Sequence, residues 1–362
     1  MTEAAGGLMR NLFAVAVLLS TLAFAADPPE IPYDADANFL KLPDTMHFGE
    51  VSGVAVNSKK HIFVFQRANT TGPAYGATAS QLLEFDQTGK YVREIGKNLY
   101  AWSYAHDVRI DKDDNIWAID KGSDMIVKFN PAGRVTMVFG RKKEASDEAE
   151  PWTRVTPPRP AIDGQFRQPT DVTWDAQGNT YISDGYINSR VAKYDKNGDW
   201  VKTWGQPGNK PGEFSIPHGI AADNAGNIYV ADRQNKRIQV FDTDGKYLRE
   251  MRIDVPAPKG TQPWMATVAP GLEPAPNHTP GSPWTVCITP GPTQYLYTSD
   301  SFPGRIYKFT LDGKLVGMLG KAGRQQGQFG WIHQIACPNE NELYVAEIVN
   351  WRVQKLTLKP VK

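Results

Sequence analysis

The feature that most constrains the fold is a repeat, which is complete at residues 212–251. It contains four short runs of β-type residues that start at Pro217, Ile228, Arg237 and Tyr247. Turns rich in glycine, aspartate and asparagine separate the runs, and this spacing predicts a four-stranded antiparallel meander. A repeat of about 40 to 45 residues with that content is typical of one blade of a β-propeller.

Copies of this repeat fill most of the chain, and they begin near Val51, Ala105, Pro169, Pro217, Trp284 and Ile332. The predicted fold is therefore all-β: a single six-bladed β-propeller of four-stranded antiparallel blades over residues 26–362. The sixth copy stops after its third strand, at 356–358. We expect residues 38–42 to supply its outer strand, which would close the ring and leave no exposed sheet edge.

The amino terminus has the pattern of a cleavable signal peptide over residues 1–25. Arg10 precedes an apolar run at 12–22, and a small-x-small cleavage site follows at 23–25. We expect a mature chain that starts near Ala26 and is secreted or periplasmic. An uncleaved membrane anchor is the alternative, although the run is short for a transmembrane span.

Charge and cysteine content limit the classes of partner. The formal net charge is +1 at pH 7 and no basic stripe exists, which argues against a nucleic-acid partner. We expect a monomer without a membrane span in the mature chain. Cys287 and Cys337 are the only cysteines, so the chain is not a disulfide scaffold. They form either one bridge between neighbouring strands or two buried thiols.

An acidic residue at the end of the second strand recurs with an arginine five or six residues later. The pairs are Asp184 with Arg190, Asp232 with Arg237, Asp300 with Arg305, and Glu347 with Arg352. Because they recur in most blades, whereas active sites are asymmetric, we interpret them as structural ion pairs that tie strands together.

Three insertions break the regular spacing, at residues 67–82, 144–164 and 254–283. In an up-and-down blade, loops from strand two to strand three emerge on the same face as loops between blades. The insertions are therefore expected to crowd one mouth of the ring, and loops gathered on a rigid scaffold are where function usually lies. The two longer ones exceed ordinary linkers, which favours a functional lid.

Histidine opens the innermost strand in alternate blades. In chain order this position holds Ser52, His106, Thr170, His218, Thr285 and His333. Equivalent positions around a central channel face a common axis, so the three histidines are expected to converge. Three neutral imidazoles with an open fourth position make a catalytic metal site, and Zn²⁺ suits that ligand set best. The alternative is that each histidine lines a wet channel.

Three further residues are expected at the same mouth, just after the second strands. Arg67, Tyr186 and Arg233 depart there from a purely structural pattern. Alone, each is a surface residue like any other. The face that they share with the histidines makes them candidates for catalysis.

These runs resemble the NHL-repeat family, whose members form six-bladed propellers. Several stretches also look like one branch of that family, the peptidyl-α-hydroxyglycine α-amidating lyases. They include GKNLYAWSYAHDV with His106, YISDGYINSR with Tyr186, IPHGIA with His218, ADRQNKR with Arg233, IHQIA with His333, and the VSGVAV stretch that precedes Arg67.

The resemblance implies a role for each of these residues. It implies that His106, His218 and His333, which share one position in alternate blades, bind Zn²⁺. It also implies that Tyr186 is the general base and that Arg67 and Arg233 lie near the substrate carboxylate. The reaction would cleave the N–Cα bond of a carboxy-terminal α-hydroxyglycine, in a peptide or a small N-acyl molecule, to give an amide and glyoxylate.

The family also places a calcium ion in the propeller channel. The resemblance assigns backbone carbonyl ligands to Val54 and Val108, but the acidic position directly after the last zinc histidine is Gln334. A neutral amide binds Ca²⁺ less strongly than a carboxylate, which counts against calcium here.

Two other classes of function remain open. One is a metal-dependent hydrolase, such as a lactonase, for which acidic and asparagine ligands around the channel would be expected. The other is a non-enzymatic NHL-repeat module that binds a partner at its mouth and has no need of zinc.

Overall fold

A computed structural model describes residues 28–68, 79–143, 159–261 and 278–361, together with Met1. The signal peptide predicted at 1–25 and much of the three insertions lie outside the described residues. Within the described part, no helix has both the length and the apolar character that a membrane crossing requires.

The described strands form six four-stranded antiparallel sheets, which are the blades of a β-propeller, as the repeats predict. Blade one contains β2 (Glu50–Val56), β3 (Ile62–Arg67), β4 (Ser80–Phe85) and β5 (Tyr91–Ile95). Blade two contains β6 (Ala105–Ile110), β7 (Ile116–Asp120), β8 (Met125–Phe129) and β9 (Val135–Gly140). Blade three contains β10 (Asp171–Trp174), β11 (Thr180–Asp184), β12 (Arg190–Tyr194) and β13 (Trp200–Trp204). Blade four contains β14 (Pro217–Ala222), β15 (Ile228–Asp232), β16 (Arg237–Phe241) and β17 (Tyr247–Met251). Blade five contains β18 (Val286–Ile288), β19 (Tyr295–Ser299), β20 (Ile306–Thr310) and β21 (Leu315–Leu319). Blade six contains β22 (Ile332–Asn339), β23 (Glu342–Glu347), β24 (Arg352–Leu358) and β1 (Tyr33–Asp36). A short 3₁₀ helix, Arg233–Asn235, follows β15.

The amino-terminal segment closes the ring, but with different residues from those predicted. β1 (Tyr33–Asp36) pairs antiparallel with β24 and completes blade six, whereas the prediction placed this strand at 38–42. The apolar residues of 38–42 pack instead on the core between blades six and one. Both segments mix apolar and polar residues, and Tyr33 and Ala35 alternate toward the core as an edge strand requires.

The hydrophobic core lies between neighbouring blades. Each of six buried clusters joins the facing sheets of two adjacent blades; for example, Phe65 of blade one packs with Val127 and Phe129 of blade two. Side chains that alternate across each strand supply both faces of a blade with apolar groups. The rigid ring that results fixes the relative positions of the innermost strands.

A disulfide joins Cys287 on β18 to Cys337 on β22. The sequence left a bridge and two free thiols as alternatives, and the structure has the bridge. It links the innermost strands of blades five and six.

Three of the four predicted ion pairs are present in the described part. Arg190, Arg237 and Arg352 each contact the acidic residue of their own blade at 3.0, 2.8 and 2.7 Å. Blade five differs, because the Arg305 guanidinium donates to the carbonyl oxygen of Pro256 and the Tyr307 hydroxyl donates to Asp300. The prediction of a side-chain ion pair there is wrong, since a tyrosine takes the place of the arginine.

The strand ends that flank the three insertions share one end of the ring. Arg67 at the end of β3 pairs with Glu50 at the start of β2, and Gly140 at the end of β9 lies in register with Met125, Asp120 and Ala105. This end also carries the starts of the innermost strands, where the three histidines lie.

Candidate active site

The structure brings the three histidines of the innermost strands together at the channel. Each lies at a break in strand register near the start of β6, β14 or β22, and such bulges re-aim a side chain. The ring of His106 lies 4.8 Å from that of His218 and 4.7 Å from that of His333, and the last two are 5.0 Å apart. One nitrogen from each forms a group within 4.8 Å.

Each imidazole is oriented by a carbonyl group of the next blade. The Nδ1–H groups of His106, His218 and His333 each donate at 2.7 Å, to the backbone oxygens of Thr170, Trp284 and Ser52. Blades without a histidine in this column therefore hold the imidazoles of the blades that have one. With Nδ1 protonated, the lone pair of every ring is on Nε2, which faces the channel.

The electrostatics favour neutral imidazoles. All three histidines are at most 2 % exposed. Burial, helped by nearby positive groups, lowers the pKa of each ring well below its usual value. Three buried neutral imidazoles, each fixed by a hydrogen bond from its other nitrogen, fit the donor set of a catalytic zinc site.

Tyr186 stands over this cluster. Its hydroxyl lies 3.3 Å from Nε2 of His106 and 3.3 Å from Nε2 of His218. The turn that carries it depends on Gly185, where a Cβ atom would lie 1.8 Å from the carbonyl oxygen of Pro217. The absence of a side chain at Gly185 lets blade three approach blade four and delivers the phenol to the histidines.

Arg233 is a buried cation with unused donors. It is 2 % exposed, and its Nε and Nη1 atoms have no hydrogen-bond partner in the described part of the chain. Its guanidinium carbon lies 4.1 Å from the ring of Trp284 and 5.3 Å from that of Tyr186. Because buried donors without acceptors are costly, this group is suited to an anionic ligand.

Arg67 shares the site but is already partnered. Its Nη1 contacts Glu50 at 2.7 Å, its Nε donates to the carbonyl oxygen of Ala105 at 2.9 Å, and its guanidinium stacks 3.8 Å from the ring of Tyr104. The sequence treated the two arginines alike. The structure separates them, because Nε and Nη1 of Arg233 have no partner among the described residues, whereas Arg67 is largely committed to the protein.

Sequence reasoning missed Lys121, which reaches the same site. Its Nζ lies 3.6 Å from the ring centre of Tyr186. The signal was available, because Lys121 follows Asp120 in blade two as Arg233 follows Asp232 in blade four. A column drawn through all blades at this position would have included it.

Positive charge changes the acidity of the phenol. Burial alone would raise the pKa of Tyr186, but the charges of Lys121 and Arg233 outweigh it and lower the pKa below the ordinary value. A larger fraction of Tyr186 is therefore phenolate, the form that accepts a proton, than for a tyrosine in water at the same pH.

His278, to which the sequence gave no role, lies beside the cluster. Its ring is 4.8 Å from that of Trp331 and 5.4 Å from that of Trp284, and Trp284 in turn lies 4.9 Å from His218. Burial and the charge of Arg233 lower the pKa of His278 to about 4. This aromatic group borders the site on the side of blades five and six.

The residues at the predicted calcium site do not fit a calcium ion. The Gln334 side chain accepts from the Val54 N–H at 2.5 Å and donates through Nε2 to the Val108 carbonyl oxygen at 2.9 Å. The Val108 carbonyl is one of the expected ligands, and it is used by an amide N–H. Calcium requires several oxygen ligands, of which carboxylates are the strongest.

An arginine completes the network in this part of the channel. Arg109 binds Asp171 through two hydrogen bonds and also donates to the carbonyl oxygen of Val286, while Asp171 accepts from the Ile220 N–H. Together with Gln334, these contacts connect the innermost strands of all six blades.

Comparison with known proteins agrees with the fold. The NHL repeat model matches residues 214–241. The chain is a six-bladed β-propeller that contains an NHL repeat in its fourth blade. Its relatives include a peptidyl-alpha-hydroxyglycine alpha-amidating lyase of Drosophila melanogaster, which is 25% identical over 343 residues that cover 86% of this chain and 58% of that protein.

A second relative is a peptidyl-glycine alpha-amidating monooxygenase of Mus musculus. It is 26% identical over 336 residues, which make up 86% of this chain but 30% of the mouse protein. This chain thus matches about a third of the length of that relative. Among solved structures, virginiamycin B lyase from Staphylococcus aureus has a TM-score of 0.54 at 15% identity and covers 91% of this chain and 100% of its own, which supports the fold alone.

Proposed function

We propose that this protein is a zinc-dependent lyase that acts on carboxy-terminal α-hydroxyglycine, in a peptide or in an N-acyl compound. It would break the bond between the amide nitrogen and the α-carbon and release a carboxamide and glyoxylate. The observation that carries the proposal is Arg233, whose two unused donors, counted over the described residues, lie next to Tyr186 and three neutral imidazoles.

The names of the relatives support the reaction class. The Drosophila relative is named for the lyase reaction and the mouse relative for peptide amidation. At 25% and 26% identity, these names guide the choice of substrate to be tested, and the contacts within this chain supply the mechanism.

Substrate binding begins with the carboxylate. Arg233 offers the carboxylate its positive charge and the N–H donors of Nε and Nη1, which have no partner among the described residues. Arg67, whose Nη1 is paired with Glu50, adds positive field at the same mouth. With its carboxylate held, the substrate places its hydroxyl between the guanidinium of Arg233 and the imidazoles.

Tyr186 then moves the proton. Its oxygen removes the proton of the substrate hydroxyl while the C–N bond breaks and the carbonyl group of glyoxylate forms. The electron pair of the C–N bond goes to the amide nitrogen. Tyr186 then donates to this nitrogen the proton that it took from the hydroxyl, so no proton is gained or lost overall. A zinc ion held by Nε2 of His106, His218 and His333 would supply Lewis-acid stabilisation of the hydroxyl oxygen.

The test is a glyoxylate assay on the purified protein with an N-acyl-α-hydroxyglycine. We expect equal amounts of amide and glyoxylate from the wild type, loss of both in His218→Ala, and a raised KM in Arg233→Ala. Full turnover by His218→Ala would refute the metal role. Hydrolysis of lactones without glyoxylate formation would favour a propeller hydrolase, and absence of both turnover and bound zinc would favour a binding module.

We also propose that the protein is exported, as a signal peptide predicts. The disulfide between Cys287 and Cys337 supports this, because such bonds persist in secreted and periplasmic proteins and are rare in the cytosol. Fractionation of cells that express the full chain, with sequencing of the mature amino terminus, tests export and cleavage near Ala26.

A further inference from the structure

Lys121 lies in the same place in its blade as Arg67 and Arg233 do in theirs. The residue before each of them, Gln66, Asp120 or Asp232, is paired with the residue that precedes the innermost-strand column. The propeller therefore projects these three cations from blades one, two and four toward one mouth. The recurring acid–arginine pairs within the blades do not explain why a lysine occupies this position.

Cations and aromatic rings alternate around this mouth. The guanidinium of Arg67 lies 3.8 Å from the ring of Tyr104, and Lys121 Nζ lies 5.6 Å from the same ring. Lys121 Nζ is also 3.6 Å from the ring of Tyr186, and Arg233 is 5.3 Å from that ring on the side of blade four. Lys121 is thus the cation closest to the phenol ring among these contacts.

A lysine on the face of an aromatic ring restricts that ring. The ammonium is attracted by the negative face of the π-system, and the attraction grows when both groups are shielded from water. Tyr186 and Lys121 are both partly buried. Moving the ring away from Nζ would also move its hydroxyl away from His106 and His218, with which the ring makes edge contacts at 5.5 and 5.9 Å.

We propose that Lys121 is a positioning residue that holds the phenol of Tyr186 over the three imidazoles. Its effect on turnover rests on the proposed lyase function, but the contact between the two side chains does not. Both cations favour the phenolate form of Tyr186, but Arg233 also keeps donors for the substrate, whereas Lys121 lies on the face of the ring.

The kinetic test compares Lys121→Met with Lys121→Arg, using an N-acyl-α-hydroxyglycine. Methionine keeps the length of the side chain and removes its charge, so we expect kcat to fall about tenfold while KM stays within about twofold. Arginine also stacks on aromatic rings, so Lys121→Arg is expected to restore most of kcat. Lys128→Met, which removes a cation 5.0 Å from Trp117, is the matched control and should turn over normally.

A stability test separates this proposal from the proposed function, because it needs no turnover. If Lys121 binds the Tyr186 ring, Lys121→Met lowers Tm in the wild type and has little effect in a Tyr186→Leu background. Equal losses of Tm in both backgrounds would overturn the proposal. So would a rise in KM at unchanged kcat, which would mean that Lys121 contacts the substrate.

Discussion

The hydroxyl of Tyr186 lies 3.3 Å from Nε2 of His218, although the two residues belong to different blades. Blade three provides the phenol and blade four the imidazole, and Gly185 makes their close approach sterically allowed. The distance between the proposed base and the proposed metal ligands is therefore set by packing between blades. Core substitutions at this interface should change activity even when they lie far from the substrate.

Zinc content tests the histidine cluster directly. Replacing His218 with alanine removes one of three nitrogen donors and leaves the carbonyl oxygen of Trp284 without its donor. We expect the purified wild type to carry about one zinc per chain and His218→Ala to lose it. Elemental analysis by mass spectrometry measures both. His47→Ala, at an exposed histidine, is the control and should keep the metal; a variant of His218 with full zinc would contradict the prediction.

Tyr186→Phe removes a single oxygen from the site. If the phenol is the base, kcat should fall by about 10²- to 10⁴-fold, which is the usual range for loss of a positioned acid–base group. Zinc content and Tm should stay close to wild type, because the ring and its contact with Lys121 are retained. Tyr100→Phe, at an exposed tyrosine, is the matched control. Unchanged kcat in Tyr186→Phe would assign the proton transfer to another group.

Arg233 and Arg237 lie in the same blade, but we expect replacement of the first to weaken substrate binding and replacement of the second to lower stability. Arg233→Met removes donors that have no partner in the described structure, so we expect KM to rise by about 10- to 100-fold with a small effect on folding. Arg237→Met leaves the buried carboxylate of Asp232 with its other hydrogen bonds but without its cation, and should lower the free energy of unfolding by about 3–5 kcal/mol. Kinetics and chemical denaturation of both variants check this contrast, and equal effects on KM would refute it.

Calcium should have no effect on stability. Gln334 already bridges Val54 and Val108, so we expect the same Tm in calcium chloride and in a calcium chelator. Gln334→Ala leaves a buried N–H and a buried carbonyl unpaired and should cost about 1–3 kcal/mol for each. The exposed Gln177→Ala is the control. A clear rise of wild-type Tm with calcium would show that the channel does bind the ion.

Asp300 should make stability depend on pH. Burial raises its pKa to about 7, whereas an aspartate in the unfolded chain has a pKa of about 4. Between these values the folded state binds the proton more tightly, so this contribution is fully present below pH 4 and is lost as the pH rises toward 7. The free energy of unfolding of Asp300→Asn should therefore fall less than that of the wild type between pH 5 and 8. Asp113→Asn, at an exposed site, should follow the wild type.

The repeat pattern was enough to predict the fold and to place the histidines in one column. Periodicity sets the blade, and equivalent positions in equivalent blades must face one axis, so His106, His218 and His333 could be aligned without any contact information. The closing strand was misplaced, because 33–36 and 38–42 both offer a short mixed run. The choice between them depends on which run matches the free edge of β24 and the core beneath it.

The remaining contacts of the site depend on packing between blades. No local pattern indicates that Trp284 offers its carbonyl to His218, or that Arg67 is paired with Glu50 while Arg233 keeps free donors. Lys121 is an intermediate case, since its column was visible but its contact with Tyr186 was not. The Gln334 substitution was noticed in the sequence, and the contacts of Arg109 in the channel required the structure.

Imidazoles and the carbonyl groups that orient them alternate around the channel, so the histidine cluster depends on all six blades. Each histidine on an even-numbered blade is held by the odd-numbered blade that follows, and the last one is held by Ser52 of the first. An amino-terminal fragment of two or four blades would leave its last imidazole without the carbonyl group that orients it. Circular permutants that reopen the chain at an outer turn but preserve the ring should retain the site, and metal occupancy would then report whether the circle is closed.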